Sequence, residues 1–168
     1  MNPKKCAFAV SMGKFLGVVV HHEGISVDEA KAMAIKEMPS PTTQDQFRSL
    51  IGKLSYLRRF IPGLAELTSP MMRLLKKDVP FRWETRCEEN FKKIKEILTT
   101  PQLMIPPEPG KPLLLYIATT DKSLGALIAQ EKNGSEKPVY YLSRMVRGAE
   151  SNYTPMERQC LTLVYTTQ

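Results

Sequence analysis

Cysteine and histidine, which commonly bind zinc or take part in catalysis, are few in this chain: it has three cysteines, far apart, and two histidines. Cys6, Cys87 and Cys160 form no Cys-x-x-Cys pair and have no neighbouring histidine. Because structural zinc needs several such ligands at short spacings, we expect no zinc site and interpret the cysteines as reduced thiols. The consecutive His-His-Glu at positions 21–23 is followed by glycine, which predicts exposed turn residues rather than a metal or acid–base site.

The charge of the chain points to a polyanionic partner. The net charge is +7 and the pI is about 9.4. Between positions 43 and 83, eight basic residues stand against three acidic ones. Nucleic acid is the usual partner of such a segment, although a solvated helix face explains the same charge equally well. The longest apolar runs are too short to span a bilayer, so we expect an intracellular protein without a membrane segment.

The first 38 residues are predicted to form a β-hairpin followed by a short helix. Positions 14–20 are rich in β-branched residues, and alternation resumes at 25–27 after the turn. Asp28 is placed to cap a helix over positions 29–37. The expected inner face of this helix consists of Ala30, Met33 and Ala34.

Three amphipathic helices are predicted between positions 39 and 100. Thr42 or Thr43 is expected to cap the first, and Pro70 predicts a kink or break in the second, over positions 64–76. The third helix covers positions 84–98. The residues that recur at helical spacing in the first and third helices are Phe47, Leu50, Ile51, Leu54, Leu57 and Arg58, and Cys87, Phe91, Ile94 and Leu98.

Proline-rich residues at 101–112 predict a linker to a second unit. That unit contains three candidate strands at 113–119, 124–130 and 138–143, with Asn133-Gly134 as a hairpin turn. Thr154, Pro155 and Glu157 then predict a helix that begins with a capping box.

These patterns predict an α+β fold with four segments. The boundaries are a β-hairpin with a short helix at 1–38, a helical unit at 39–100, the linker at 101–112 and an α/β unit of three antiparallel strands and one helix at 113–168. Three strands and one helix leave an open sheet edge. Such an edge can pair with a second copy of the chain, so a homodimer is one expectation.

Four motifs follow one another along the chain: IGKLSYLRRFIP at 51–62, Phe-Arg-Trp at 81–83, Gly-Ala-Leu at 125–127 and VYYLSR at 139–144. In sequence and in order they resemble motifs of the pol polyproteins of gypsy-type LTR retrotransposons. The resemblance implies the end of a reverse transcriptase palm, a thumb-like and connecting helical unit, and the N-terminal part of an RNase H-like domain. It covers nearly the whole chain.

The same resemblance implies catalytic carboxylates that this chain does not supply. The first metal-binding aspartate of the family, seven residues before the Gly-Ala pair, corresponds to Ala118, and the chain contains no Asp-Asp pair for polymerase chemistry. Asp121 is expected to be an exposed turn residue. Glu157 matches the helix glutamate that binds metal in the family, but we favour its capping role. We therefore expect no catalysis by this chain alone and no cofactor, with Mg²⁺ only if residual nuclease activity exists.

The resemblance implies nucleic-acid contacts in two places. Arg58 and Arg59 in the thumb-like helix could contact phosphate, and a solvated helix face is the equal alternative. Positions 15–17 resemble a segment that touches a nucleic-acid backbone, although a packed strand with a close-approach glycine explains them as well. Tyr56, Phe60, Phe81 and Trp83 are interpreted as core residues rather than as base-stacking platforms. The candidate contact residues are Phe15, Leu16, Gly17, Lys53, Arg58, Arg59, Lys76 and Lys77.

Three functions follow as hypotheses. The first is a retrotransposon-derived, non-catalytic element that binds an RNA–DNA hybrid or another duplex weakly and without sequence preference. The second is a repurposed protein-interaction module whose basic face serves solubility. The third is a residual magnesium-dependent RNase H nuclease, with Glu157 as its vestigial catalytic residue.

Overall fold

Two antiparallel three-stranded sheets flank a group of helices in this protein. The computed structural model describes residues 10–15, 17–100 and 103–168. The strands are β1 Met12–Phe15, β2 Val18–His21, β3 Gly24–Val27, β4 Leu114–Thr119, β5 Ser123–Lys132 and β6 Ser135–Met145. The helices are α1 Glu29–Lys36, α2 Gln44–Leu57, α3 Leu64–Met72, α4 Thr85–Thr99 and α5 Pro155–Thr167, with 3₁₀ turns at Arg58–Phe60, Arg73–Leu75 and Gly148–Asn152. The predicted α+β class is confirmed. In the described ranges no helix has the length and apolar character to cross a membrane.

The first sheet has one strand more than the sequence predicted. We expected a single strand over positions 14–20, but β1 ends at Phe15 and pairs back onto β2, which pairs onto β3. Gly17 adopts a φ of 77°, in the left-handed region that glycine enters without a steric penalty, and the chain reverses there. The β-branched run is therefore divided between two strands by its glycine.

Helix α1 begins where it was predicted but turns another face inward. Asp28 caps it, since its carboxylate accepts a hydrogen bond from the backbone N–H of Ala30 at 3.1 Å. The expected inner residues Ala30, Met33 and Ala34 are exposed, whereas Ile35 is buried and Ala32 packs beside it. Helix α1 packs on α4, and that neighbour selects a face that a weakly amphipathic eight-residue helix leaves undecided.

The core of the molecule lies among α2, α3 and α4. The predicted inner residues of α4 are all buried. Those of α2 are buried except Ile51, which is half-buried, and Arg58, which is exposed just beyond the end of the helix. Thr43 caps α2 by accepting a hydrogen bond from the N–H of Gln46. Helix α3 continues through Pro70, and the division of the predicted 64–76 helix comes at Arg73, where a 3₁₀ turn begins.

The second sheet has the order β4-β5-β6 and contains the predicted Asn-Gly turn. Asn133 and Gly134 both have positive φ angles, 54° and 73°, and around this tight turn β5 runs two residues and β6 three residues further toward the turn than expected. The predicted linker is packed rather than free where it is described. Met104 exchanges two backbone hydrogen bonds with Ile25, at 2.8 and 2.9 Å, and the N–H of Ile105 donates to the carbonyl of Pro138 at 3.0 Å.

Candidate functional site

Ala118 lies on the sheet surface where a metal-binding aspartate was expected. It pairs with Gly125 in β5, and Gly125 pairs in turn with Ser143 in β6, so these three residues share one face of the sheet. Ala118 and Gly125 border a cavity of about 290 Å³ between this face and the start of α3. The methyl group of Ala118 offers no ligand atom to that space.

The two helices next to the second sheet lie on opposite faces of it. The hydroxyl of Ser143 accepts a hydrogen bond from the N–H of Ala65 in α3, so the Ala118 face is the α3 face. The adjacent residue Arg144 points to the other side, where its guanidinium lies 4.7 Å from the ring centre of Tyr165 in α5. Glu157 therefore belongs to a helix that covers the face opposite Ala118.

Glu157 closes the first turn of α5. Its carboxylate accepts hydrogen bonds from the backbone N–H of Thr154 at 2.7 Å and from the Thr154 hydroxyl at 2.9 Å. The same hydroxyl accepts a hydrogen bond from the N–H of Glu157 at 3.3 Å, which completes a capping box. The backbone hydrogen bond from Thr154, with that from its hydroxyl, lowers the pKa of Glu157 below its usual value. This carboxylate is committed to the helix end.

Asp121 occupies the bend between β4 and β5 and forms an ion pair with Arg158 of α5. Its side chain is 88% exposed, as expected for a turn residue, whereas the Arg158 side chain is only 12% exposed. The pair links the β4–β5 bend to the first turns of α5. The sequence interpretation missed Arg158, because a distance of 37 residues separates the partners.

These positions do not fit a pair of magnesium ions. Within the described ranges, no three His, Cys, Asp or Glu side chains come together in a way that could hold a metal ion. Two-metal hydrolysis needs several convergent carboxylates, and here one position carries alanine, one carboxylate caps a helix and one pairs with arginine. We derive no metal-dependent step for this site.

The candidate contacts at the β1–β2 turn lie beside α2. Phe15 is 64% exposed at the end of β1, and Gly17 approaches the hydroxyl of Tyr56 so closely that a Cβ there would overlap it. Lys53 lies one helical turn before Tyr56 and shares its flank of α2. Leu16, the remaining candidate of this segment, lies outside the described residues.

Two residues of this surface were not among the candidates. Tyr56, which we interpreted as a core residue, is 42% exposed, and the ammonium of Lys31 lies 5.3 Å from its ring centre. The spacing of three between Lys53 and Tyr56 was the available signal for Tyr56. Lys31 had no such signal, because α1 reaches Tyr56 only through the tertiary fold. Phe60, Phe81 and Trp83 pack in or against the core, as we expected.

The other candidates lie elsewhere. Arg59 places its guanidinium 5.9 Å from the ring centre of Tyr140 in β6, and Arg58 borders a small cavity with Tyr165. Lys76 and Lys77 follow the second 3₁₀ turn. They lie near the start of α2, as the hydrogen bond from the Gln44 amide to the carbonyl of Lys76 shows, at 3.2 Å. Gln44 and Lys53 are nine residues apart, about 13 Å along a helix. The structure thus brings together only the turn residues and Lys53.

The histidines of the β2–β3 turn form local contacts. His21 Nε2 lies 2.9 Å from the hydroxyl of Ser26 on the neighbouring strand, and His22 Nε2 lies 3.6 Å from the carboxylate of Glu23 with both side chains mostly exposed. His22 and Glu23 are exposed turn residues, as predicted, whereas the prediction was wrong for His21, which is half-buried at the end of β2 and pairs with Gly24.

Strands β4, β5 and β6 followed by α5 are the three antiparallel strands and one helix that the resemblance to an RNase H-like domain predicted. Residues 83–168 match the model of the RNase H-like domain found in reverse transcriptase. The chain belongs to this family. The expected relation to retrotransposon Pol polyproteins is confirmed, while the narrower gypsy-type assignment stays a prediction.

Relatives match nearly the whole chain. The chain is 33% identical over 159 residues to the retrovirus-related Pol polyprotein from transposon 412 of Drosophila melanogaster, with 95% of this chain and 13% of that protein covered. It is 28% identical to the transposon Tf2-3 polyprotein of Schizosaccharomyces pombe, with 98% and 12% covered. The chain therefore spans about an eighth of the length of these relatives.

The fold is similar to that of a solved foamy viral protease-reverse transcriptase, which was determined in complex with an RNA/DNA hybrid. The TM-score is 0.78 at 22% sequence identity, and the match covers 98% of this chain and 22% of that one. A second structure of the foamy viral enzyme, in complex with dsDNA, matches with a TM-score of 0.77, 22% identity and coverage of 98% and 34%.

Proposed function

We propose that this chain is a non-catalytic element that binds an RNA–DNA hybrid or another duplex weakly, through the nucleic-acid backbone and without sequence preference. The observation that carries the proposal is the exposed basic surface at the β1–β2 turn, formed by Phe15, Gly17, Lys31, Lys53 and Tyr56. We call this the turn surface. It combines ammonium groups, which attract phosphate, with an exposed ring that a sugar or base can contact.

The similarity to the foamy viral enzyme supports a nucleic-acid partner. That enzyme was solved with an RNA/DNA hybrid and with dsDNA, and its fold matches this chain from end to end. The net charge of +7 favours the same class of partner. The proposed contacts remain Phe15, Leu16, Gly17, Lys53, Arg58, Arg59, Lys76 and Lys77, and we give most weight to Lys53.

The proposed lack of hydrolysis rests on Ala118 and Glu157. The first has no oxygen ligand, and the second belongs to a helix on the other face of the sheet and is held by Thr154. Mg²⁺ binds weakly to isolated carboxylates and needs several oxygen ligands in a near-octahedral arrangement.

Binding is tested with a labelled RNA–DNA hybrid in a filter assay across a series of salt concentrations. We expect affinity to fall steeply with salt, and Lys53→Gln to weaken binding several-fold and lower the salt slope by about 1. Lys93→Gln is the matched control, because Lys93 is also an exposed helix lysine but lies on α4, outside the candidate set. Negligible binding at low salt, or equal losses in the two variants, would overturn the proposal.

Hydrolysis is tested on the same hybrid with Mg²⁺. Wild type and Glu157→Gln are expected to share the background rate, and Ala118→Asp is expected to add nothing, because its carboxylate would lie on the face opposite α5. Hydrolysis by wild type that disappears in Glu157→Gln would instead establish the residual nuclease.

The outer edge of β4 favours a second candidate function, that of a protein-interaction module. Among the described strands none pairs with this edge, and Leu115, Tyr116 and Ile117 are 37%, 47% and 38% exposed there. An uncharged edge without proline is a template for strand addition, and a second copy of the chain is the simplest occupant. Sedimentation of wild type and Ile117→Lys separates the outcomes: a dimer that the lysine dissociates supports the homodimer, and a monomer at all concentrations removes it.

A further inference from the structure

The first turn of α3 lacks a cap from its own sequence. Gly63 precedes the helix with a φ of 61°, and because it has no side chain it supplies no side-chain acceptor for the N–H groups of the first turn. The carbonyl of Gly63 accepts from Glu66 and Leu67, at 2.9 and 3.1 Å. The N–H of Ala65, the second residue of the helix, is left to a partner outside the helix.

That partner comes from the other side of the molecule. The hydroxyl of Ser143, in β6, lies 3.1 Å from the backbone nitrogen of Ala65 and accepts its hydrogen bond. The two residues are 78 positions apart. A serine oxygen on the N–H of the second or third helical residue is the contact that an N-cap serine normally makes from the position just before the helix.

The neighbouring residues of both segments are also joined. The Arg59 guanidinium lies over the ring of Tyr140 at 5.9 Å, within the range of a cation–π contact. Arg58 borders the same small cavity as Tyr140 and Ser143. Residues 58–65 and 140–143, which the sequence presents as two separate motifs, thus form the two halves of one junction.

We propose that Ser143 of β6 serves as the N-cap of α3, so that the first turn of α3 is ordered only while β6 is docked on this helix. The junction couples the second sheet to α3. Separation of β6 from α3 leaves the N–H of Ala65 without its acceptor. Conversely, fraying of the first helical turn weakens the packing of β6 against α3. This inference does not depend on nucleic-acid binding.

Amide hydrogen exchange in the intact chain measures this coupling residue by residue. Loss of a serine N-cap raises the local opening equilibrium about fivefold. We expect Ser143→Ala to accelerate exchange at Ala65 by this factor, with smaller effects through α3. Ser143→Thr keeps the hydroxyl and is expected to restore exchange to within twofold of wild type.

Ser135→Ala is the matched control. Ser135 also lies in β6, and its hydroxyl donates to the carbonyl of Lys132 within the hairpin turn, away from α3. Exchange in α3 is expected to stay unchanged in this variant. The amides of β5 that pair with β6 report whether any variant has disturbed the sheet itself.

Two results would overturn the proposal. One is exchange at Ala65 in Ser143→Ala that equals exchange in Ser135→Ala. The other is acceleration in Ser143→Ala that Ser143→Thr reproduces in full, since a hydroxyl-dependent cap and a simple packing change differ in that response. If Ser143→Ala also accelerates amide exchange in β5, the proposal is supported only when exchange at Ala65 is accelerated more than exchange in β5.

Discussion

The helical unit and the second sheet bury their apolar residues very differently. The core cluster of the helical unit extends from Ile35 to Leu98 and includes fully enclosed side chains on α2 and α4. The second sheet encloses Leu124, Ala126 and Ala129 of β5, whereas β4 leaves three consecutive large residues more than a third exposed. The helical unit buries most of its large apolar side chains, whereas the second sheet leaves those of β4 partly exposed.

The difference in burial indicates which region is stabilised by its own core and which has an edge without a partner. Helices α2, α3 and α4 share one buried apolar cluster within residues 35–98, and the start of α3 also relies on a contact from β6. The second sheet is covered by α3 on one face and by α5 on the other, while the outer edge of β4 has no partner in the described ranges. Substitutions of similar size should therefore have unequal effects in the two regions.

The largest expected effect lies in the helical core. Phe91→Ala should lower the free energy of unfolding by about 4 kcal/mol, because the ring is fully buried and its loss leaves a cavity. Urea denaturation followed by the fluorescence of Trp83, whose ring centre is 6.0 Å from that of Phe91, measures the change. Tyr116→Ala in β4 is the control and should cost less than about 1 kcal/mol. Equal losses of unfolding free energy in the two variants would contradict the view that the helical core is the more tightly packed region.

The next effect concerns the Arg144–Glu150 pair after β6. Arg144 donates two hydrogen bonds to Glu150, at 2.7 and 2.8 Å, and this interaction is the main reason that the pKa of Glu150 falls from 4.5 to about 2. Because the folded pKa is depressed, the stabilisation is complete above pH 4.5 and is lost as pH falls toward 2. Glu150→Gln should cost roughly 1.5 kcal/mol at pH 7.

Denaturation of both proteins at pH 7 and near pH 2 checks this prediction, since the difference between them should shrink in acid. Asp45→Asn serves as the control, because Asp45 pairs with Arg48 on an exposed surface of α2. It should cost less than about 0.5 kcal/mol at either pH. A difference that persists unchanged in acid would show that the charge of Glu150 is not responsible.

A smaller effect on stability is expected when the N-caps of α5 and α2 are removed. Thr154→Ala and Thr43→Ala each remove a side-chain acceptor at a helix start, a loss of about 1 kcal/mol. Helix α2 buries four apolar residues, whereas α5 buries only Thr162. We expect local acceleration of amide exchange in the first turn of α5, and in α2 a loss visible in global unfolding. The reverse pattern would contradict the view of α5 as the less anchored helix.

The smallest effect is expected at the β4 edge. Ile117→Thr keeps a β-branched side chain and removes apolar surface that is 38% exposed at a sheet edge, so the stability should change by less than about 0.5 kcal/mol. The same substitution at the buried Ile94 should cost several times more. Matched thermal or urea denaturation provides the measurement. A large cost at Ile117 would reveal that the β4 edge is covered in solution.

Much of the secondary structure could be predicted because its signals are local. The inner face of α4 follows from a spacing of three and four, and the turn at Asn133-Gly134 follows from the positive φ angles that these residues accept. The capping box of Thr154 and Glu157 is written in four consecutive residues. Each of these features involves side chains within one or two turns of each other.

Other features could not be predicted, because they depend on residues far apart in the chain. The inner face of α1 was assigned to Ala30, Met33 and Ala34, and packing on α4 selected Ile35 instead. The predicted linker is packed because Met104 pairs with Ile25. The exposed ring of Tyr56 was assigned to the core, since its spacing alone does not distinguish a core residue from one beneath Lys31.

The sequence was sufficient to predict the family, the α+β class, the caps Asp28 and Thr154 and the absence of an aspartate at position 118, because each is encoded in residue type and short spacing. Only the tertiary structure decided that the Ala118 face belongs to α3 rather than to α5, and that Ser143 caps a helix 78 positions away. The physical reason is that strand register and helix docking are settled by the summed packing of distant segments, which no local pattern contains.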